Sequence, residues 1–381
     1  MKKIARTLLH DYPYIARFLL YASQSIKYNT KYLTKIIKEK IKRVIRKLQS
    51  NKPRVLQFPI TYKCNFDCVM CGMQKMSQQR DMDIEDVDKI LSNNLFSNVR
   101  SIGTNGGEPF VVKDIENYIK TIINRLPKLR NIFIITNGYL TERILNKLEI
   151  IKKECEMNNI KLTVSISVDG IGTMQDKMRG RKNIFNSIEN TCISISNAPG
   201  KYCDNFGVLC TITKVNIEKI NEVDYWAEKN KIDISYNIAT IHKRLFNEDR
   251  FNHFSVLTDE HFKTLATEWF YYKFRRTNSE KYYSIYRYLL DGKRIAKCDY
   301  QVDGITLMPN GDISYCATQS KVIGNSINKP ADIIFESNLD YRNRLVSKEC
   351  NNCSHYSGSV AVEYYKEYVD DIIRKPFKYR I

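Results

Sequence analysis

Between about residues 54 and 255 short β-rich runs alternate with amphipathic helical patterns, and this alternation limits the fold more than any other feature of the chain. Six β-rich runs are read, at 54–61, 99–104, 131–136, 162–168, 206–213 and 232–239, separated by stretches such as Ile84 to Leu95 and Ile144 to Met157. Repeated strand and helix units of this kind build a parallel sheet covered by helices, and six of them predict an α/β fold, a partial (β/α)6 TIM-like barrel. Residues 256–295 are aromatic-rich and helical in pattern. A turn-rich segment carrying cysteines follows from Cys298 to about Tyr356. The expected organisation is a basic helical arm over 1–53, the barrel with its following helices over 54–295, and a smaller extension with a C-terminal helix over 296–381.

With 381 residues, 43% of them hydrophobic, the chain is long enough to bury a large core. Its formal charge of +19 is unevenly placed: residues 1 to 54 hold 15 Lys/Arg against 2 Asp/Glu, and the remainder holds 46 against 40. The body is therefore nearly neutral, which argues against nucleic acid as a partner. In the arm Tyr32, Leu33, Ile36, Ile37, Ile41, Val44, Ile45 and Leu48 recur at helical spacing. Lys31, Lys35, Lys38, Lys42, Arg43 and Arg46 occupy the rest of the surface. Such a helix either packs its stripe on the barrel or attaches to an anionic membrane surface or to an acidic or lipid-linked substrate. His10, Tyr12 and Pro13 form no catalytic pattern. No apolar run is long enough for a spanning helix, so a cytoplasmic location is expected, with peripheral attachment at the inner face of the membrane as the arm's alternative.

Seven of the eleven cysteines fall into two spacing patterns suited to metal ligation, whereas Cys155, Cys192, Cys203 and Cys210 match none. Cys64, Cys68 and Cys71 stand within eight residues directly after the first strand. Three thiolates on a four-iron cluster leave one iron open to an exogenous ligand, whereas a closed electron-transfer cluster uses four. Zinc is the alternative, although no histidine lies nearby to complete such a site. After the second strand comes Gly106-Gly107-Glu108-Pro109. The third strand ends in Thr136-Asn137-Gly138, and the fourth in Ser167-Val168-Asp169-Gly170, with Asp176 to Gly180 beyond.

Together, Cys64-x-x-x-Cys68-x-x-Cys71 and Gly106-Gly107-Glu108-Pro109 resemble the signatures of the radical S-adenosylmethionine (SAM) superfamily, with Met70 in place of the usual aromatic before the third cysteine. The resemblance implies a [4Fe-4S] cluster on the three cysteines. It also implies a cofactor site in which Gly106, Gly107 and Glu108 hold the SAM ammonium group, and Asn137, Ser167 and Arg179 touch its ribose and carboxylate. Asp169 is read either as part of this site or as an Asx turn before Gly170. The implied reaction is one-electron cleavage of SAM to a 5′-deoxyadenosyl radical that abstracts a substrate hydrogen. A flavodoxin- or ferredoxin-type electron donor would serve it. No residue is identifiable as the general base or hydrogen donor.

Cys298, Cys316 and Cys350-Asn-Asn-Cys353, with Gly311 five residues before Cys316, similarly resemble the one-cluster, twitch- or SPASM-like extension of many superfamily members. This implies a second [4Fe-4S] cluster, although a closed tetrathiolate also suits zinc. The extension resembles that of aminocyclitol dehydrogenases, so oxidation or epimerisation at an alcohol carbon of a sugar or aminocyclitol-like molecule is the preferred expectation. Modification of a ribosomally made peptide is the alternative. Among such enzymes the sulfatase-maturing group fits least, because Ala317 stands where that group has Asp. A non-catalytic iron–sulfur or zinc module is the reading from another class.

Overall fold

The structure is a computed structural model, and it describes residues 13–48, 52–355 and 359–374. His10, Tyr12 and the Tyr356 end of the extension lie outside the described residues, as do the arm side chains beyond Ile41. The first element is one long helix, α1 (Pro13–Leu48).

Six parallel strands then follow: β1 (Val55–Gln57), β2 (Ser101–Thr104), β3 (Asn131–Thr136), β4 (Lys161–Ser167), β5 (Asn205–Ile212) and β6 (Ile234–Ile238). Between them run α2 (Ile84–Leu91), α3 (Ile115–Arg125), α4 (Thr141–Met157), α5 (Thr173–Arg179), α6 (Phe185–Ser196) and α7 (Ile220–Lys229). The aromatic-rich stretch forms α8 (Glu260–Thr277) and α9 (Glu280–Asp291). The extension holds β7 (Gly304–Leu307), β8 (Asp312–Ser314), β9 (Gly324–Asn325), α10 (Ala331–Glu336), α11 (Leu339–Lys348) and α12 (Tyr365–Arg374).

Strand alternation decides where the core and the cavity lie. On β4 Leu162, Val164 and Ile166 are fully buried among α4 and α6 residues such as Leu148 and Ile188. Ser165 and Ser167 turn to the opposite face. On β3 Ile132 and Ile134 go to the helices in the same way. Polar residues at the carboxyl ends of the strands therefore face the barrel interior. Each fully buried Ile or Leu contributes about 1.5–3 kcal/mol, so the helix-facing residues carry the fold and the interior face is free for chemistry.

The sheet does not close. Its order is β6-β5-β4-β3-β2-β1-β7-β8-β9, so β7 pairs in parallel with β1, from Val55 opposite Gly304 to Gln57 opposite Thr306. A hairpin to β8 and then β9 completes it, both pairings antiparallel. The extension after residue 295 thus continues the barrel sheet through a run that sequence analysis read only as turn-rich. Cys155, Cys192, Cys203 and Cys210 are all buried, which makes them core thiols. Among the described residues no helix is long and apolar enough to cross a membrane.

Candidate active site

The loop leaving β1 carries Cys64, Cys68 and Cys71, and all three line one cavity of about 290 Å³ at the carboxyl ends of the strands. Its shape is imposed by neighbours that come close only because glycines permit it. A Cβ on Gly72 would stand 2.1 Å from the Phe246 carbonyl oxygen, and one on Gly180 2.2 Å from that of Asp67. Gly180 also has a φ of +68°, the left-handed conformation that ends α5. Gln74 donates its side-chain amide to the Cys64 and Phe66 carbonyls, and Val69 N–H donates to Met178. Met70 is buried with Met178, Ala239 and Phe254, so its thioether fills space beside the thiols.

Burial pushes the Cys64 thiol up to about 12 and that of Cys68 to about 11, and it raises Cys71 as well. Opposing this, Arg179 Nη1 lies 3.5 Å from Cys68 Sγ, and Arg244, Arg179 and Arg250 favour the thiolate of Cys71. Backbone N–H groups of Phe66 and Met73 also donate to Cys64 and Cys71. Buried thiols ringed by cations and amides suit metal-bound thiolates, because a metal deprotonates a coordinating thiol outright. Among the described residues no three His, Cys, Asp or Glu groups converge tightly enough for a single ion. Three thiols on one loop, lining one cavity, match the donor set of a four-iron cluster that keeps one iron open.

The Gly106-Gly107 pair packs closely against the segment leading out of β1. A Cβ on Gly106 would meet the Thr61 carbonyl oxygen at 2.6 Å, and one on Gly107 the Lys63 oxygen at 2.1 Å. Gly107 and Glu108 N–H groups donate to Thr61 and Lys63 at 2.8 Å each. The glycines thus lay the loop against the segment that leads into Cys64. Glu108 is fully buried, and its carboxylate accepts from the Asn137 N–H at 2.7 Å, the Thr136 hydroxyl at 2.7 Å and the Phe110 N–H at 3.1 Å. Burial outweighs these bonds and pushes its carboxyl up to about 7.

Gly106, Gly107, Glu108, Asn137, Ser167 and Arg179 all line the cavity that holds the three thiols. Asp169 forms no Asx turn. It pairs with Arg179 at 2.6 Å and accepts from the Thr211 N–H at 2.7 Å, while Gln175 takes the N–H groups of Asp169 and Gly170. The polar lining, with Arg179 Nε and Arg244 Nε buried and lacking a hydrogen-bond partner among the described residues, suits an ionic, hydroxyl-rich cofactor such as SAM.

Cys298, Cys316 and the Cys350–Cys353 pair, which shares one turn, come from three separate segments and line a second cavity of about 230 Å³. Gln319 N–H donates to Cys316 Sγ at 3.3 Å, and His355 N–H donates to Cys353. Arg294 reaches the Cys353 carbonyl at 2.6 Å and that of His355. The two cavities share Asn105, Ile135, His242, Arg244 and His355. Sequence reasoning missed the loop after β6, which supplies His242 and Arg244. This loop pairs with the extension through Lys243 and Arg244 N–H groups donating to the Thr318 and Ala317 carbonyls at 3.0 Å. It also grips the first loop: Gly72 N–H donates to Leu245, and Arg250 reaches Asp67 and the Cys71 carbonyl. His242 and His355 meet edge to face at 4.9 Å, and burial with the nearby cations pushes both imidazoles below their usual range.

The Radical SAM superfamily model matches residues 58–224, the segment that carries the three thiols and strands β2 to β5. This segment of the chain belongs to that superfamily. The GTP 3′,8-cyclase of Clostridium botulinum (strain Okra / Type B1) is 28% identical over 158 residues, 39% of this chain and 46% of that protein. A probable GTP 3′,8-cyclase of Methanococcus maripaludis (strain S2) is 29% identical over 126 residues, 32% of this chain and 39% of that one. The chain spans less than half the length of these relatives. Among solved structures, Streptococcus suis SuiB bound to precursor peptide SuiA superposes with a TM-score of 0.54 at 16% identity, covering 88% of this chain and 76% of that one. SuiB alone gives 0.52, covering 83% and 74%. At this identity the likeness is one of fold.

Proposed function

We propose that the protein cleaves SAM reductively and directs the resulting radical to a polyhydroxylated small molecule, of sugar or aminocyclitol type, oxidising or epimerising it at an alcohol carbon. The observation that carries this reading is the polar space shared by the two cysteine sets. It is bounded by Asn105, His242, Arg244 and His355. Cys64, Cys68 and Cys71 would hold one [4Fe-4S] cluster, and Cys298, Cys316, Cys350 and Cys353 a second. Gly106, Gly107, Glu108, Asn137, Ser167 and Arg179 would hold SAM. When bound, a reduced cluster with SAM supplies a 5′-deoxyadenosyl radical, and a four-thiolate cluster supplies an electron sink.

The chain itself supplies position, protons and dryness. Arg244 and Asn105 offer hydrogen bonds to hydroxyl groups in the shared space. His242, held neutral by burial, can accept the hydroxyl proton that an alcohol loses on becoming a carbonyl. The loop over 240–250 lines the cavity beside the thiols through His242, Arg244, Leu245 and Asn247, and would limit the access of water to a radical there. A flavodoxin- or ferredoxin-type protein would deliver the electron.

Modification of a ribosomally made peptide is the second reading, favoured by the fold likeness to SuiB, whose structure holds a precursor peptide. The test is anaerobic reconstitution, an iron and sulfide count, and assay of 5′-deoxyadenosine with dithionite and SAM. Sugars, aminocyclitols and peptides are then compared for product. About eight irons per chain, with sugar or aminocyclitol turnover, is the expected result. A colourless, zinc-loaded protein without cleavage overturns the reading and leaves a metal-stabilised binding module. Turnover of peptide alone moves the assignment to the second reading.

A further inference from the structure

Among the described side chains of helix α1, one face is docked and the opposite face is bare and carries large apolar residues. The docked line is Tyr28, Tyr32, Lys35 and Glu39, spaced i, i+4, i+7, i+11. Tyr28 is 6% exposed, and Tyr32 stacks on Tyr365 of α12 with ring centroids 6.0 Å apart. Lys35 pairs with Glu280 of α9 at 2.7 Å and lies over the Tyr365 ring, and Glu39 pairs with Lys297. At 100° per residue, Ile26, Leu33, Ile37 and Ile41 fall on the other side of the cylinder. They are 69%, 59%, 56% and 51% exposed, each far above the core aliphatics. A stripe of four large apolar side chains left in water on one helix is not explained by packing on the body, which the other face already accomplishes.

Charge says what covers it. Along Pro13–Leu48 there are ten Lys/Arg against Glu39 alone, and Glu39 is used on the docked face. Exposed Lys27, Lys31 and Lys38 border one edge of the stripe and Lys40 the other. A second copy of the helix would bring like charges together along both edges with no acid to pair them, the reverse of the arrangement that stabilises a helical dimer. A nucleic acid would engage the lysines and leave the aliphatic stripe in water. An apolar stripe between cationic borders, on a helix too polar to cross a bilayer, matches a helix lying in the plane of an anionic lipid surface.

We infer that the outward face of α1 is a membrane-docking surface, with Ile26, Leu33, Ile37 and Ile41 inserted at the acyl boundary and the flanking lysines on anionic headgroups. The docked face then holds the catalytic body against the bilayer. This surface lies on α1, apart from the residues that line the two cysteine cavities, and is independent of the substrate the barrel accepts.

The test is co-sedimentation of the full chain with vesicles of phosphatidylcholine, with and without about one-third phosphatidylglycerol. The wild type is expected to bind the anionic vesicles at least about tenfold more tightly than the neutral ones and to be released by salt, since surface attraction decays within a Debye length of about 8–10 Å. Leu33→Glu with Ile37→Glu should lose about tenfold or more in binding while retaining 5′-deoxyadenosine formation. Lys31→Glu with Lys38→Glu, which leaves the apolar stripe intact, serves if the first pair fails to fold and should abolish the anionic preference. Equal binding to both vesicle types, wild-type binding by the folded variants, or a concentration-dependent dimer that the Leu33 and Ile37 changes dissolve would each overturn the inference.

Discussion

The two cysteine sets differ in how they are built. The first occupies eight consecutive residues on one loop, and its neighbours are cations: Arg179, Arg244 and Arg250 all favour its thiolates. The second is gathered from Cys298 before β7, Cys316 after β8 and the Cys350–Cys353 pair after α11, so it exists only once β7 has joined β1. A local site tolerates changes elsewhere in the chain but depends on the few contacts that shape its loop. An assembled site depends on tertiary structure and can be removed without disturbing the first. The loop over 240–250 is the exception, because it touches both.

The largest expected effect follows from removing the local site. Cys64→Ala with Cys68→Ala and Cys71→Ala should lower 5′-deoxyadenosine formation to background, on the order of a thousandfold or more, and halve the iron content from about eight to about four. Retained cleavage would mean that the other set performs it. The converse substitution, Cys350→Ser with Cys353→Ser, should also halve the iron. It should leave cleavage of SAM within about threefold while product formation falls on the order of a hundredfold. If cleavage falls as far as product, the sites are not separable and the contrast between them fails.

The local character of the first site is also why it was legible. Its spacing, the glycine-rich loop after β2 and the polar strand ends can all be read along the chain, and strands such as Asn131–Thr136 have the bounds that periodicity predicts. What escaped reading depends on distance. Gly304–Leu307 is a fully buried run of four residues, too short to show a period, and becomes a strand through pairing with β1 about 250 residues earlier. His242 and Arg244 carry no spacing signal. The one clue was their position just past the carboxyl end of the sixth strand, where barrel sites form. Asp169 was ambiguous because its partner, Arg179, is fixed by the geometry of α5 and not by sequence proximity.

Gly107→Ala sharpens the contrast at intermediate size. The added Cβ would stand 2.1 Å from a backbone oxygen of Lys63, one residue before Cys64, so the loop must move. A displacement of about 1 Å at a reacting centre can cost a hundredfold in rate, and about that loss of cleavage is expected. Iron at the second set should be retained, as read by an iron count in the background of the triple first-set variant. Loss of that iron too would show that the two sites share one cooperative unit.

The smallest effect is a pH dependence confined to the first site. Glu108 is pushed up to about 7 by burial, from an ordinary value of about 4.3. If it meets the SAM ammonium, binding favours the ionised carboxylate. Affinity should then rise with pH up to about tenfold per unit below 7 and level off above it. The stability of the cofactor-free fold runs the other way: the folded state keeps a proton that the unfolded chain releases between about pH 4.5 and 7, so stability falls as pH rises through that window. Equilibrium dialysis with SAM from about pH 5.5 to 8.5 measures the first trend, and thermal unfolding of the cluster-free protein the second. Glu108→Gln should flatten both. A pH-independent affinity alongside pH-dependent unfolding would assign Glu108 to bracing Thr136 and Asn137 alone, with the ammonium held by backbone carbonyls of the neighbouring loop.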